Sequence, residues 1–94
     1  MTSQYETFNY IKHWNMLSKK KASIYFETQK LHDEFMRKMD ERHITWTGTP
    51  ATSRNYWNER NSFYIDSGKY LKHGSISECK IPLLNFKGWN YLGD

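Results

Sequence analysis

Arginine and aromatic residues are interleaved in one short segment of this 94-residue chain. Tyr56 and Trp57 lie between Arg54 and Arg60. Single-stranded nucleic acids are bound by this combination, because cations contact phosphates and each ring that stacks on an unpaired base contributes about 1–3 kcal/mol. A second basic segment precedes the first predicted strand and consists of Lys19, Lys20 and Lys21. These seven residues are our candidate site for binding nucleic acid or another partner.

The same residue types have two other common uses. Trp, Tyr and Arg are frequent hot spots of protein–protein interfaces, so the segment also fits docking onto a partner protein. Alternatively, the charged residues form a solvated face while the rings pack into the core. The sequence alone does not separate these uses.

The four histidines could in principle supply acid–base chemistry. They are His13, His32, His43 and His73, and they are far apart in the sequence. A histidine pair can act as acid and base in RNA cleavage, but no metal-binding HxxE or HxxxH spacing occurs, and the acidic residues do not cluster. There is also no glycine-rich phosphate loop. We therefore expect a binding protein that has no cofactor and no metal, with a His43-dependent nuclease as an alternative.

The composition limits the class of binding partner and the cellular compartment that we expect. Fourteen Lys and Arg residues against ten Asp and Glu give a net charge of +4, which favours nucleic acid or an acidic protein and excludes a DNA mimic. The lone Cys79 excludes an internal disulfide and favours a reducing cytoplasm. No apolar run of 18 residues occurs, so we expect no membrane-spanning helix. Aromatic residues reach 17% of the chain, which is the most unusual figure in its composition.

The pattern of apolar and turn-forming residues predicts a single α+β domain. A small, mostly antiparallel sheet is expected to pack against one main helix, with an additional N-terminal helix beside it. In chain order we predict a helix over about 4–17, a strand–helix–strand unit over about 22–47, a long loop over 47–61, a hairpin and edge strand over 62–84, and an aromatic tail over 85–94.

Four local signals support these elements. Ser3 and Glu6 have the spacing of a capping box for the N-terminal helix. Thr28 is a good N-cap for the main helix, predicted over about 29–42. Gly68 would supply the positive φ of a three-residue hairpin loop. Pro82 places the last strand, over about 79–84, at an edge or a bulge of the sheet.

The C-terminal tail carries four large apolar side chains, those of Phe86, Trp89, Tyr91 and Leu92. Their spacing is not that of a core-facing helix or strand. They are expected either to fold back over the core or to form the interface of a homo-oligomer, which would stabilise so small a domain.

The passage from the main helix into the next strand carries a short motif in which Ile44, Trp46 and Gly48 follow one another at alternate positions. This order resembles that in small accessory proteins of tailed, T4-like bacteriophages. In those proteins Lys or Arg precedes the aliphatic residue, where this chain has His43, and the following loop is shorter. The resemblance covers roughly residues 22–84. It implies a role in host takeover or in evasion of host defences, and it implies no catalytic residues.

In size, charge and aromatic content the chain is also similar to phage inhibitors of toxin ribonucleases that associate with RNA. We therefore expect a non-enzymatic phage protein that acts in the host cytoplasm. It would neutralise a host defence component by contacting RNA or an RNA-bound host protein. The alternatives are an oligomeric sponge that sequesters a nucleotide immune signal, and the small histidine-dependent nuclease.

Overall fold

One sheet of short strands, with two helices on one of its faces, makes up the structure. The computed structural model describes residues 5–90. Within them the elements are β1 (Glu6–Thr7), α1 (Tyr10–Leu17), β2 (Ser23–Tyr25), α2 (Gln29–Glu41), β3 (Thr45–Trp46), β4 (Thr49–Pro50), β5 (Asn61–Asp66), β6 (Tyr70–Ser75) and β7 (Leu83–Asn85). Short 3₁₀ turns follow β4 at Ala51–Ser53 and β6 at Ile76–Glu78.

The strands lie in the order β1-β7-β2-β5-β6-β3-β4. The predicted α+β class is confirmed, and the sheet is mixed. Three of the six neighbouring pairs, β1–β7, β2–β7 and β3–β6, are parallel. α1 joins β1 to β2 and α2 joins β2 to β3, and in each case the two strands run in the same direction, as a helix crossover permits and a tight turn does not.

The N-terminal helix is shorter than predicted, because the chain first forms β1. Glu6 pairs with Leu84 on β7, so the helix cannot start near residue 4. Instead Asn9 is the N-cap, and its side chain accepts a hydrogen bond from the Lys12 N–H at 3.1 Å. Phe8 lies within the range predicted as helix, but it is fully buried just after the strand. Ser3 of the proposed capping box lies outside the described residues.

The main helix agrees with its prediction. The Thr28 hydroxyl accepts a hydrogen bond from the Leu31 N–H at 3.2 Å, which satisfies one of the free donors at the helix start. Phe35, Met36 and Met39 are buried on one side of α2 and form the centre of the core. Neither helix among residues 5–90 is long and apolar enough to span a bilayer.

Strands β5 and β6 form the predicted hairpin. Their ladder runs from Asn61↔Ser75 to Asp66↔Tyr70. In the connecting turn Gly68 has φ +68, as its position predicts, and Ser67 also adopts a left-handed conformation with φ +57. The Gly68 N–H donates to the Ser18 carbonyl at 2.9 Å, which attaches the hairpin tip to the chain that follows α1.

The last strand is not an edge strand. β7 starts at Leu83, after Pro82, and it lies between β1 and β2. The prediction was wrong because the proline precedes the strand and therefore removes no donor from its ladder. Its carbonyl still contributes to pairing, since it accepts the Ser23 N–H at 2.8 Å.

The segment predicted as a long loop is partly regular. Thr49–Pro50 pairs with β3, and Ala51–Ser53 forms a 3₁₀ turn. The Trp46 indole N–H donates to the Ala51 carbonyl at 3.0 Å, which holds this turn against the core. Irregular backbone is confined to residues 54–60, where the interleaved rings and guanidinium groups are found.

The described part of the aromatic tail folds back over the core, which is the first of the two arrangements expected for it. Phe86 is fully buried, so its ring is not available to a second copy of the chain. Trp89 is half-buried and stacks on Phe35, with ring centroids 5.1 Å apart. Tyr91 and Leu92 lie outside the described residues.

Candidate nucleic-acid interface

Tyr56 is held in place by two other rings. It stacks on His73 of β6, with centroids 4.2 Å apart and planes 19° from parallel. Its edge meets Trp46 of β3 at 5.0 Å. The side-chain amide of Asn61 donates to the Tyr56 carbonyl at 2.7 Å, which fixes the backbone as well. The ring is therefore half-buried in a defined orientation, although its segment has no regular secondary structure.

Arg54 lies beside this ring and stays exposed. Its Nη1 contacts the Tyr56 hydroxyl and its Nε contacts the Thr49 hydroxyl, both at 3.4 Å. These bonds are long and bring no negative charge to the guanidinium. The group therefore keeps its charge and most of its hydrogen-bonding capacity for a ligand.

Arg54 and Tyr56 line a depression of about 360 Å³, which we call the edge groove. Trp46, Lys72 and His73 line it as well. The groove forms because β3 pairs with β6 only at Thr45↔Tyr70, so the rest of β6 has no neighbouring strand on this side within the described residues.

A second depression of about 390 Å³, the outer cavity, lies on the sheet face opposite the helices. Phe63 of β5 is buried in the core, so its neighbours Ser62 and Tyr64 point to the other face. Both line the outer cavity, together with Lys20 and Lys80. The Lys20 ammonium lies 5.7 Å from the centre of the Tyr64 ring, within the range of a cation–π contact.

The edge groove and the outer cavity meet at β6. His73 lines both, and Lys72, which lines the edge groove, lies directly opposite Tyr64 in the β5–β6 ladder. Two predicted residues from distant parts of the sequence, Arg54 and Lys20, therefore line adjoining depressions that share His73, one on each side of the sheet edge. Four cationic or aromatic side chains connect them across the sheet edge. We call the six residues the β6 track: Arg54, Tyr56, His73, Lys72, Tyr64 and Lys20.

The other four predicted site residues have different surroundings. The Trp57 indole N–H donates to the Phe26 carbonyl at 2.9 Å, and the half-buried ring packs against the core. Arg60, Lys19 and Lys21 are exposed and line neither the edge groove nor the outer cavity.

Sequence reasoning missed three members of the β6 track: Lys72, His73 and Tyr64. The available signal was strand alternation. Lys72 follows Leu71 and Tyr64 follows Phe63, so each must point away from its buried neighbour. Alternation alone does not show that Tyr64 and Lys72 lie opposite each other in the hairpin. It also does not show that Lys20 of the lysine run lies over the Tyr64 ring.

The four histidines lie in separate environments. His13 and His32 are buried, His73 stacks on Tyr56, and His43 is exposed with φ +59 after the end of α2. The Nδ1 atom of His13 accepts the Asn9 N–H at 2.8 Å, and its Nε2 contacts the Glu6 carboxylate at 3.0 Å. This arrangement places the ring proton on Nε2. Among residues 5–90, no three His, Cys, Asp or Glu side chains are grouped as a metal site.

Three carboxyl groups with a lowered pKa lie outside the β6 track. The Lys12 ammonium lowers the pKa of Glu6 below its ordinary 4.5, and His13 adds to the effect. Lys87 lowers the pKa of Glu27, and His32 lowers the pKa of Asp33, in each case by a hydrogen bond to the carboxylate. The Lys12–Glu6 and Lys87–Glu27 pairs join separate segments of the chain, whereas His32 and Asp33 are adjacent in α2. None of the three pairs includes a cation of the β6 track.

Comparison with family models, with curated proteins and with solved structures gave no match. The function of the chain therefore has to be inferred from its own residues.

Proposed function

We propose that this protein binds single-stranded RNA along the β6 track and that it acts by binding rather than by catalysis. The observation that supports this proposal is the junction of the edge groove and the outer cavity at His73. The shared residue joins two adjoining depressions, one lined by Arg54 and the other by Lys20, and each has the volume of a small-ligand site.

The chemistry along the path suits an unpaired strand. Arg54, Lys72 and Lys20 provide positive charge for phosphates, and the net charge of +4 favours approach of a polyanion. Tyr56 and Tyr64 lie between these cations, and both rings keep part of their surface exposed. Stacking on such rings requires bases that are not already stacked in a duplex, which is why a single strand is preferred over double-stranded RNA.

The biological role proposed with this activity is that of a bacteriophage accessory protein. It would act in the cytoplasm of the host and neutralise a defence component by engaging RNA or an RNA-bound host protein. The sequence resemblance around Trp46 and Gly48 supports this role. The β6 track supports only the RNA-binding step within it.

Binding can be tested with a 3′-labelled single-stranded RNA of 12 nucleotides, followed by fluorescence anisotropy at several salt concentrations. The expected result is that Arg54→Ala and Lys72→Ala each weaken binding about fivefold and lower the salt slope by about one, since each removes a phosphate or base contact. Duplex RNA of the same length is expected to bind more weakly than the single strand.

Arg60→Ala is the matched control, because Arg60 is an exposed arginine of the same segment that lines neither depression. It should retain wild-type affinity apart from a small loss due to net charge. Equal losses in Arg54→Ala and Arg60→Ala would show that only overall charge matters and would contradict binding along the track. Absence of any RNA binding by the wild type would contradict the proposed function itself.

A further inference from the structure

Two serines that line the outer cavity have hydroxyl groups with no hydrogen-bond partner within residues 5–90. Ser23 is 1% exposed and Ser62 is 3% exposed, and both line the cavity. Within residues 5–90 neither side chain forms a hydrogen bond, and neither hydroxyl is sealed from the cavity as the unpartnered Nε2 of His32 is sealed in the core. Because both hydroxyls are open to the cavity, they can donate hydrogen bonds to a ligand bound there.

Two lysines line the same cavity from different segments of the chain. Lys20 follows α1 and lies over the Tyr64 ring, whereas Lys80 belongs to the connection between β6 and β7. Glu78 also lines the cavity, so its formal charge is +1 when both lysines are protonated. The combination of two cations and two free hydroxyls fits an anion that has several acceptor oxygens.

We propose that the outer cavity binds a phosphomonoester. The terminal phosphate of such a group carries about −1.5 to −2 charges and three acceptor oxygens, which matches two ammonium and two hydroxyl donors. An internal phosphodiester has only two free oxygens and a single charge, so it leaves donors unused. Applied to RNA, the inference deepens the proposed function: the track receives the 5′-phosphorylated end of a strand in this cavity.

The size of the cavity supports a ligand larger than phosphate alone. About 390 Å³ lies within the range of small-ligand sites and accommodates a nucleoside attached to the phosphate. Glu78 then has a function, because its carboxylate can accept a hydrogen bond from a ribose hydroxyl. The same phosphomonoester chemistry occurs at the 5′ end of RNA and in a free nucleoside monophosphate, and the experiment distinguishes these sources.

The test compares two 3′-labelled RNAs of one sequence, one with a 5′-phosphate and the other with a 5′-hydroxyl. In the wild type we expect the phosphorylated strand to bind about tenfold more tightly, because the added charge-assisted hydrogen bonds are made only by that strand. Ser62→Ala and Lys80→Gln should each reduce this ratio to about threefold or less. Lys19→Ala, an exposed neighbour of Lys20 that does not line the cavity, should keep the full ratio.

Isothermal titration with uridine 5′-monophosphate, and with uridine as its control, tests the free-nucleotide source. The site is supported if uridine 5′-monophosphate binds, uridine does not, and Lys80→Gln weakens the binding. This holds even if no RNA binds, and in that case only the proposed RNA function is contradicted. Equal affinity for the two RNAs together with no monophosphate binding overturns the phosphomonoester site. In that case wild-type binding of the 5′-hydroxyl strand still supports the proposed function.

Discussion

At the scale of single residues, Tyr56 shows how a binding ring is positioned before its ligand arrives. Stacking on His73 and the edge contact with Trp46 fix its plane, and Arg54 is placed next to its hydroxyl. Little side-chain freedom is left to lose when a base approaches, and each side chain that is ordered in advance lowers the entropic cost of binding.

Trp57, the next residue, has a structural role instead. Replacing it with phenylalanine removes the indole N–H that donates to the Phe26 carbonyl. We expect Trp57→Phe to lower the free energy of unfolding by about 1–2 kcal/mol, because the acceptor carbonyl loses its partner. Urea unfolding measures this loss. RNA affinity should stay within about twofold of wild type, and a larger fall in affinity without a loss of stability would assign Trp57 to the binding surface instead.

The different roles of Tyr56 and Trp57 could not be predicted from their sequence. Residues 54–60 have no helical or strand periodicity, so no rule assigns one ring to the surface and the next to the core. The partner of Trp57 is Phe26, which follows β2 and is far away along the chain, and the partner of Tyr56 is in β6. Trp46, by contrast, alternates with Ile44 in the sequence, a pattern that predicts a strand with both side chains on one face, and Trp46 is 6% exposed.

At the scale of secondary-structure elements, the β5–β6 hairpin positions most of the β6 track. Its ladder places Tyr64 opposite Lys72, and its tip binds Ser18 of the segment that leads to Lys20. The short pairing of β3 with β6 then leaves the edge groove open. A change that disturbs the hairpin turn should therefore affect both stability and binding.

Gly68→Ala tests the hairpin turn. Gly68 has φ +68, and a Cβ there would meet no atom within 4 Å, so the only penalty is the left-handed backbone. We expect a loss of about 1 kcal/mol in the free energy of unfolding. Gly74→Ala is the control, because its site is equally open and its φ is not positive. Chemical denaturation should show no loss or a small gain for Gly74→Ala, and equal losses in both variants would contradict the assignment of strain to Gly68.

The contact between β1 and α1 predicts a pH dependence. Glu6 accepts a hydrogen bond from Lys12 at 2.6 Å, and this bond lowers the pKa of the carboxyl below 4.5. A carboxyl whose pKa is lower in the folded state stabilises the fold above its unfolded pKa, and this contribution disappears as pH falls through the folded pKa. We expect the Tm of the wild type to fall as pH decreases below about 4.5.

Glu6→Gln should lower Tm at neutral pH and approach the wild type in acid, because glutamine keeps the size of the side chain without the charge. Circular dichroism melts between pH 7 and pH 3 measure the two curves. Glu27 and Asp33 also have lowered pKa values, so the variant should retain part of the acid sensitivity. Parallel curves with a constant difference in Tm would contradict a contribution from the ionised Glu6 carboxylate.

Elements defined by local signals were predictable, whereas those defined by pairing were not. The cap at Thr28 and the apolar spacing of α2 lie within a single segment, so that helix was predicted within one residue of its observed end. β1 has only two residues, and it exists because β7 provides a parallel partner from the other end of the chain. No local pattern carries that information, and the apolar spacing from Phe8 onward favoured a helix instead.

At the scale of the whole molecule, the aromatic residues divide into two sets. Six of the aromatic residues that the structure describes are buried in the core, including Phe86, and Trp89 stacks on Phe35 beside it. A smaller set keeps exposed surface near cations. The net charge and the interleaved segment pointed to the binding class proposed here. The continuity between Arg54 and Lys20 depends on the three-dimensional order of the strands and could not be read from the chain.

The central claim is that RNA lies along the β6 track. Titrating the isotope-labelled protein with a single-stranded RNA of 12 nucleotides, and following its amide NMR signals, tests this claim most directly. We expect the largest shifts at Lys20, Arg54, Tyr56, Tyr64, Lys72 and His73, with little change at Ile11, an 84% exposed residue on the far side of α1. Shifts centred on α1, or no shifts at stoichiometric RNA, would contradict the account.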